Sequence, residues 1–75
     1  MNNDIKKIVG ERIRELRKEH ITQEALAGLA ELDRTYINSV ENGRRNISII
    51  NIEKISMALG YSLQEFFSSE KFNKK

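Results

Sequence analysis

The sequence predicts an all-α domain of five short helices. Proline is absent and only four glycines occur in 75 residues, so little in the chain interrupts a helix. Apolar residues recur three and four apart, the period of a helix face and not of a strand. Each apolar stretch after the first is introduced by Thr, Asp or Ser, the residue types that cap helix N-termini.

The first helix is expected over residues 4–19. Ile5, Ile8, Val9, Ile13 and Leu16 form its apolar stripe. Its other face mixes Lys6, Lys7, Arg12, Arg14 and Lys18 with Glu11, Glu15 and Glu19, the pattern of a solvated surface. The second helix is expected over 22–29, opened by Thr22, with Leu26, Ala27 and Ala30 inward. The third is expected over 33–42. Asp33 caps it, Ile37, Val40 and one edge of Tyr36 face the core, and Asn42 and Gly43 stop it because both accept a left-handed backbone. The fourth is expected over 48–59, from Ser48 to the stop at Gly60, with Ile49, Ile52, Ile55, Ser56 and Leu59 buried. Ser62 to Glu65 spell a capping box that opens a fifth helix over 63–68. The tail, 69–75, is expected to fray.

Composition narrows the function classes. A chain of this length holds one domain with one small core. Hydrophobic content of 39% and charged content of 32% suit a globular domain. No apolar run approaches the roughly 20 residues of a membrane span, and MNNDIKKIVG has no secretory apolar core. The expected location is the cytosol. There is no cysteine and one histidine, His20. No disulfide, metal set or nucleophile–base pair can be assembled, so no cofactor and no enzyme activity is expected. Net charge is +2, too mild to argue for nucleic acid without its placement.

Placement supplies that argument. Only about Ala30 to Leu32 links the second and third helices, and the small Ala27, Gly28 and Ala30 are expected to let them approach closely. Two helices joined by so short a turn form a helix-turn-helix. With their apolar sides spent on each other, Arg34, Thr35, Asn38 and Ser39 point outward as one row of the third helix. The major groove of duplex DNA is about 12 Å wide and admits one helix, whose N-terminal residues meet base edges. Arg34 can take guanine O6 and N7 with both arms of its fork, and Thr35 can offer a methyl or a hydroxyl. Thr22 and Gln23 open the second helix, where free N–H groups favour a phosphate. The Tyr36 hydroxyl, Arg44, Arg45 and Asn46 suit further backbone phosphates. Glu41 would repel phosphate, so it is expected to pair inside the domain with Arg17.

The stretch QEALA (residues 23–27), then Ala30, Leu32, Ile37, Val40, ENG (41–43) and ALGYSLQEFF (58–67), resembles the Cro/CI-type (XRE) helix-turn-helix regulators. The likeness runs from about Ile8 to Phe67 and implies a lambda-repressor-like DNA-binding domain. Within that family, Asp33 to Ile37 with Arg45 and Asn46 resemble the controller proteins of restriction–modification systems. This likeness implies a small dimeric regulator of its own gene and of the endonuclease gene, active at low occupancy and repressing at high. It implies DNA contacts from Arg34, Thr35 and Tyr36, with Gln23, Asn42, Arg45 and Asn46 on the backbone. RNA polymerase becomes a partner if the protein activates. The family commonly has glycine between its first two helices, which is missing here. It also has glycine in the next turn, where this chain has Glu31; a positive φ there would strain Glu31 by about 1 kcal/mol.

One helix-turn-helix reads few base pairs, so a homodimer on a palindromic operator is expected, with half-sites one turn or roughly 34 Å apart. Ile50 and Met57 lie off the buried stripe, and with Tyr61, Phe66 and Phe67 they form the expected interface. The rival readings are an antitoxin, with KFNKK (71–75) as a toxin-binding candidate, a phage-type repressor on the same domain, and an interaction module or RNA binder, which the 7% aromatic content disfavours.

Overall fold

The computed structural model describes residues 2–73. Helix α1 spans Asn2–Arg17, α2 Gln23–Ala30, α3 Arg34–Glu41, α4 Ile49–Ala58 and α5 Leu63–Phe66. A 3-10 turn, Glu70–Phe72, follows, and no strand occurs among the described residues.

The helix starts follow from local chemistry. The Thr22, Ser48 and Ser62 hydroxyls accept the N–H groups of Ala25 (3.0 Å), Asn51 (3.1 Å) and Glu65 (3.1 Å). Each satisfies a donor that the helix itself leaves without a partner. The Glu65 carboxylate accepts the Ser62 N–H at 2.8 Å, completing the capping box. Asp33 holds the N-cap position of α3, but its side chain makes no capping bond.

Helices α2, α3 and α4 end alike. The N–H groups of Leu32, Arg44 and Tyr61 reach back to the carbonyls of Ala27, Ser39 and Ser56, each at 2.9 Å. The residue before each donor is left-handed: Glu31 at φ 57°, Gly43 at 73° and Gly60 at 86°. The turn between α2 and α3 therefore does need a positive φ, and Glu31 supplies it with a side chain in place.

Val9, Ile13 and Leu16 from α1, Leu26, Ala27 and Ala30 from α2, Ile37 and Val40 from α3, Ile52 and Ile55 from α4, and Phe66 from α5 form one core. Helix α3 packs against α1 and α2, and α4 against α2 and α5. This leaves one side of α3 free of neighbours.

Several expectations are corrected. Helix α1 ends at Arg17, not residue 19. The Arg17 carbonyl accepts both His20 and Ile21 N–H groups, which turns the chain early. Gly28 does not serve close packing, since a Cβ there would meet nothing within 4 Å. The tight approach is at Gly10, where a Cβ would stand 2.8 Å from the Glu41 carbonyl oxygen. Ile49 is exposed. Arg12 leaves the solvated face: its Nε donates to the Phe66 carbonyl (2.7 Å) and its Nη2 to that of Glu65 (2.8 Å). It so satisfies the free carbonyls at the end of α5. The fifth helix stops at Phe66, not residue 68. Within the expected frayed tail, Glu70–Phe72 form the 3-10 turn and Phe72 packs on the core, 5.0 Å from the Phe67 ring centre and 6.3 Å from that of Phe66. The last two residues of the expected tail, and of KFNKK, lie outside the described residues.

Candidate nucleic-acid interface

Arg34, Thr35, Asn38 and Asn42 share the open side of α3 and are exposed, with Ser39 half-covered at its edge. Arg34, Thr35 and Asn38 line one shallow depression. Among the described residues, Arg34, Arg44 and Arg45 take part in no ion pair, so their charges are available to a partner.

Beneath this row lies Glu41, whose side chain is fully buried. Arg17 meets it with both arms, Nε to Oε2 at 2.5 Å and Nη2 to Oε1 at 3.0 Å. The expected pair is thus present, in the two-pronged geometry that suits guanidinium and carboxylate. The remaining Arg17 nitrogen, Nη1, donates to the Ile21 carbonyl at 3.1 Å. One arginine therefore ties α1 and the loop before α2 to α3. Gln23 also donates to Glu41, Nε2 to Oε1 at 3.1 Å, and its own oxygen accepts from Asn38 Nδ2 at 3.2 Å.

Tyr36 lies half-buried on the other edge of α3. Its hydroxyl accepts from Asn51 Nδ2 at 3.0 Å, which leaves the hydroxyl proton free to donate outward. The Arg45 guanidinium stands over the Tyr36 ring, 4.9 Å from its centre. Asn51 and Arg14 escaped the sequence reading. The signal for Asn51 was a lone amide inside the apolar run IINI. Arg14 had none, since its partners Glu41 and Asn42 come from a distant part of the chain. Thr22 uses its hydroxyl as the α2 cap and remains exposed beside Gln23. Arg44 and Asn46 are exposed just past α3.

The proposed interface residues do not all fall together. Ile50 and Met57 are 65% and 68% exposed on the outer side of α4, and Ile49 at 62% extends that surface. Phe67 is 36% exposed. Tyr61 is half-buried against the core. Phe66 is fully buried inside the protomer, so its ring is not available to a second copy. Its ring is part of the core, and its carbonyl accepts from Arg12 Nε at 2.7 Å, which ties this end of α5 to α1.

The chain matches the helix-turn-helix family over residues 13–66. It is 52% identical over 68 residues to the control protein C.MunI of Mycoplasma sp, across 88% of this chain and 92% of that one. The chain belongs to the helix-turn-helix family of control proteins. Solved structures agree at the level of the backbone. The restriction-modification controller protein C.AhdI from Aeromonas hydrophila superposes with a TM-score of 0.80 at 44% identity, over 84% of this chain and 97% of that one. The controller protein C.Esp1396I, solved as a tetramer with its natural 35 base-pair operator, reaches 0.85 at 34% identity, over 93% and 96%. Among the described residues, no helix is long and apolar enough to cross a membrane.

Proposed function

We propose that this chain is a restriction–modification controller, a transcriptional regulator that reads palindromic operator DNA as a homodimer. The observation that carries this reading is the exposed row Arg34, Thr35 and Asn38, at the front of the second helix of a helix-turn-helix. Helices so placed enter the major groove and meet base edges with their first turns. Arg34 is the guanine reader; Thr35, Asn38 and Ser39 read neighbouring bases. Thr22 and Gln23 at the start of α2, the Tyr36 hydroxyl, and Asn42, Arg44, Arg45 and Asn46 at the end of α3 bind backbone phosphates. The family supports the reading, since the similar C.Esp1396I was solved on its operator.

Dimerisation uses the outer face of α4, through Ile50 and Met57, with Phe67 and Tyr61 beside it. Three apolar side chains more than 60% exposed on one short helix are what an unassembled interface leaves behind. A two-fold axis there sets two α3 helices into successive major grooves.

The test is a comparison of two arginine variants in a binding assay. Arg34→Ala relaxes the preference at one base pair per half-site, on the order of tenfold. Arg45→Ala weakens all sequences alike and reduces the salt dependence. Equal behaviour of the two variants would overturn the division between base and phosphate contacts.

A further inference from the structure

The polar groups beneath α3 form a chain with one direction. Glu41 carries a carboxylate, which accepts hydrogen bonds and donates none. Gln23 must therefore turn its NH2 toward Glu41, and it does so at 3.1 Å. Its oxygen is then forced outward, where it accepts from Asn38 Nδ2 at 3.2 Å. Asn38 in turn shows its oxygen to Asn42 Nδ2, at 3.3 Å, and the same Asn42 NH2 donates to the Asn38 carbonyl at 2.8 Å. The Asn42 oxygen accepts from Arg14 Nη2 at 3.4 Å, and Arg14 Nε faces Glu41 Oε1 at 3.5 Å. The chain closes on the carboxylate where it began. No amide in it can reverse without setting two donors or two acceptors face to face.

We propose that Glu41 and Gln23 are positioning residues that fix the amide of Asn38 in one orientation and thereby make it an adenine reader. This rests on the reading of α3 as the groove helix. An asparagine amide has two N–H donors and two lone pairs. Gln23 consumes one donor of Asn38, and Asn42 one lone pair. What remains unused is one N–H and one lone pair in fixed order, on a side chain that is exposed. Adenine offers N7 as acceptor and N6–H as donor in the major groove, the complement of that pair. Guanine offers two acceptors there, O6 and N7, and needs two donors. The held amide has only one left, so guanine is refused.

The decisive experiment measures base preference, as ratios of affinity, at each operator position for the intact protein and its variants. Losses of phosphate contact cancel in such ratios. The base pair faced by Asn38 is the one whose preference Asn38→Ala abolishes, and the intact protein prefers adenine there. Gln23→Leu keeps the Arg17–Glu41 pair and removes the acceptor of Asn38 Nδ2, leaving Asn42 alone to hold that amide. It lowers adenine over guanine at that base pair on the order of tenfold. The double variant with Asn38→Ala is no worse there than Asn38→Ala alone. Glu41→Gln, which can donate as well as accept, has the same effect if it folds. A base other than adenine at that position, a Gln23→Leu preference profile unchanged everywhere, or additive losses in the double variant would each overturn the proposal. If the intact protein shows no sequence preference at all, the regulator reading fails, and with it the adenine-reading role. The positioning itself is read separately in the free protein. The two Asn38 Nδ2 proton resonances are resolved, and one shifts in Gln23→Leu; resonances that do not respond would overturn the positioning.

Discussion

Glu41 is a carboxylate whose side chain has no exposure, beneath a surface proposed to meet phosphate. Its charge is tolerated because Arg17 takes it in both arms and Gln23 fills a further site. Such a pair is a poor source of net stability but costly to break from one side. Arg17→Met is expected to lower unfolding stability by up to about 3–5 kcal/mol, since it leaves the buried carboxylate with only Arg14 at 3.5 Å and the Gln23 amide. The double variant Arg17→Met, Glu41→Leu recovers most of that loss in chemical denaturation. A double variant as unstable as Arg17→Met would show that the packing at this site, and not the stranded charge, carries the cost. Glu31 is the opposite case. It adopts φ 57° at a helix end where α3 and α4 use glycine. Glu31→Gly relieves that strain and is expected to stabilise by about 0.5–1 kcal/mol, raising the melting temperature by a few degrees. A lower melting temperature would mean that the Glu31 side chain makes up for its backbone.

At the scale of the helix, what the sequence disclosed and what it hid divide by distance along the chain. Thr22, Ser48 and Ser62 were legible as helix starts because a cap bonds only three residues ahead. Gly43 and Gly60 were legible as stops for the same local reason. The exposed row of α3 followed from periodicity once the turn before it was recognised. The Arg17–Glu41 pair was reached by elimination, as a charge that the surface would reject. Arg12 was hidden, because its acceptors Glu65 and Phe66 lie at the far end of the sequence and its neighbours read as solvated surface. The packing glycine was hidden for the same reason. Composition favours Gly28, beside Ala27 and near Ala30, as the packing glycine, yet the backbone of α3 crosses α1 at Gly10. Gly28→Ala is therefore expected to stabilise by about 0.5–1 kcal/mol, since the methyl meets open space in a helix interior. Gly10→Ala is expected to destabilise by about 1–3 kcal/mol, because its methyl meets backbone that cannot rotate away. Thermal melts that rank the two variants the other way round would contradict this crossing.

Across the whole molecule, the two proposed surfaces lie on different helices and share one core. Helix α3 spends Ile37 and Val40 inward and keeps Arg34, Thr35 and Asn38 outward. Helix α4 spends Ile52 and Ile55 inward and leaves Ile49, Ile50 and Met57 uncovered. The second surface was only partly legible. Phe66 and Phe67 are adjacent and chemically identical, and only the path of α5 sends one to the core and leaves the other at the rim. Ile50→Glu places charge at the centre of the uncovered face without touching the core. It is expected to give monomers in sedimentation and to weaken operator binding by more than an order of magnitude, with the melting curve of the monomer intact. An unchanged dimer would move the interface elsewhere. The proposed function requires that α3 reads base sequence and that two copies read together. Selection of bound duplexes from a random-sequence library at moderate salt tests it most directly. Enrichment of a palindrome whose half-sites lie about one helical turn apart, near 34 Å, is expected. Recovery of duplexes with no shared sequence would contradict it, and would leave the exposed row of α3 as ordinary surface.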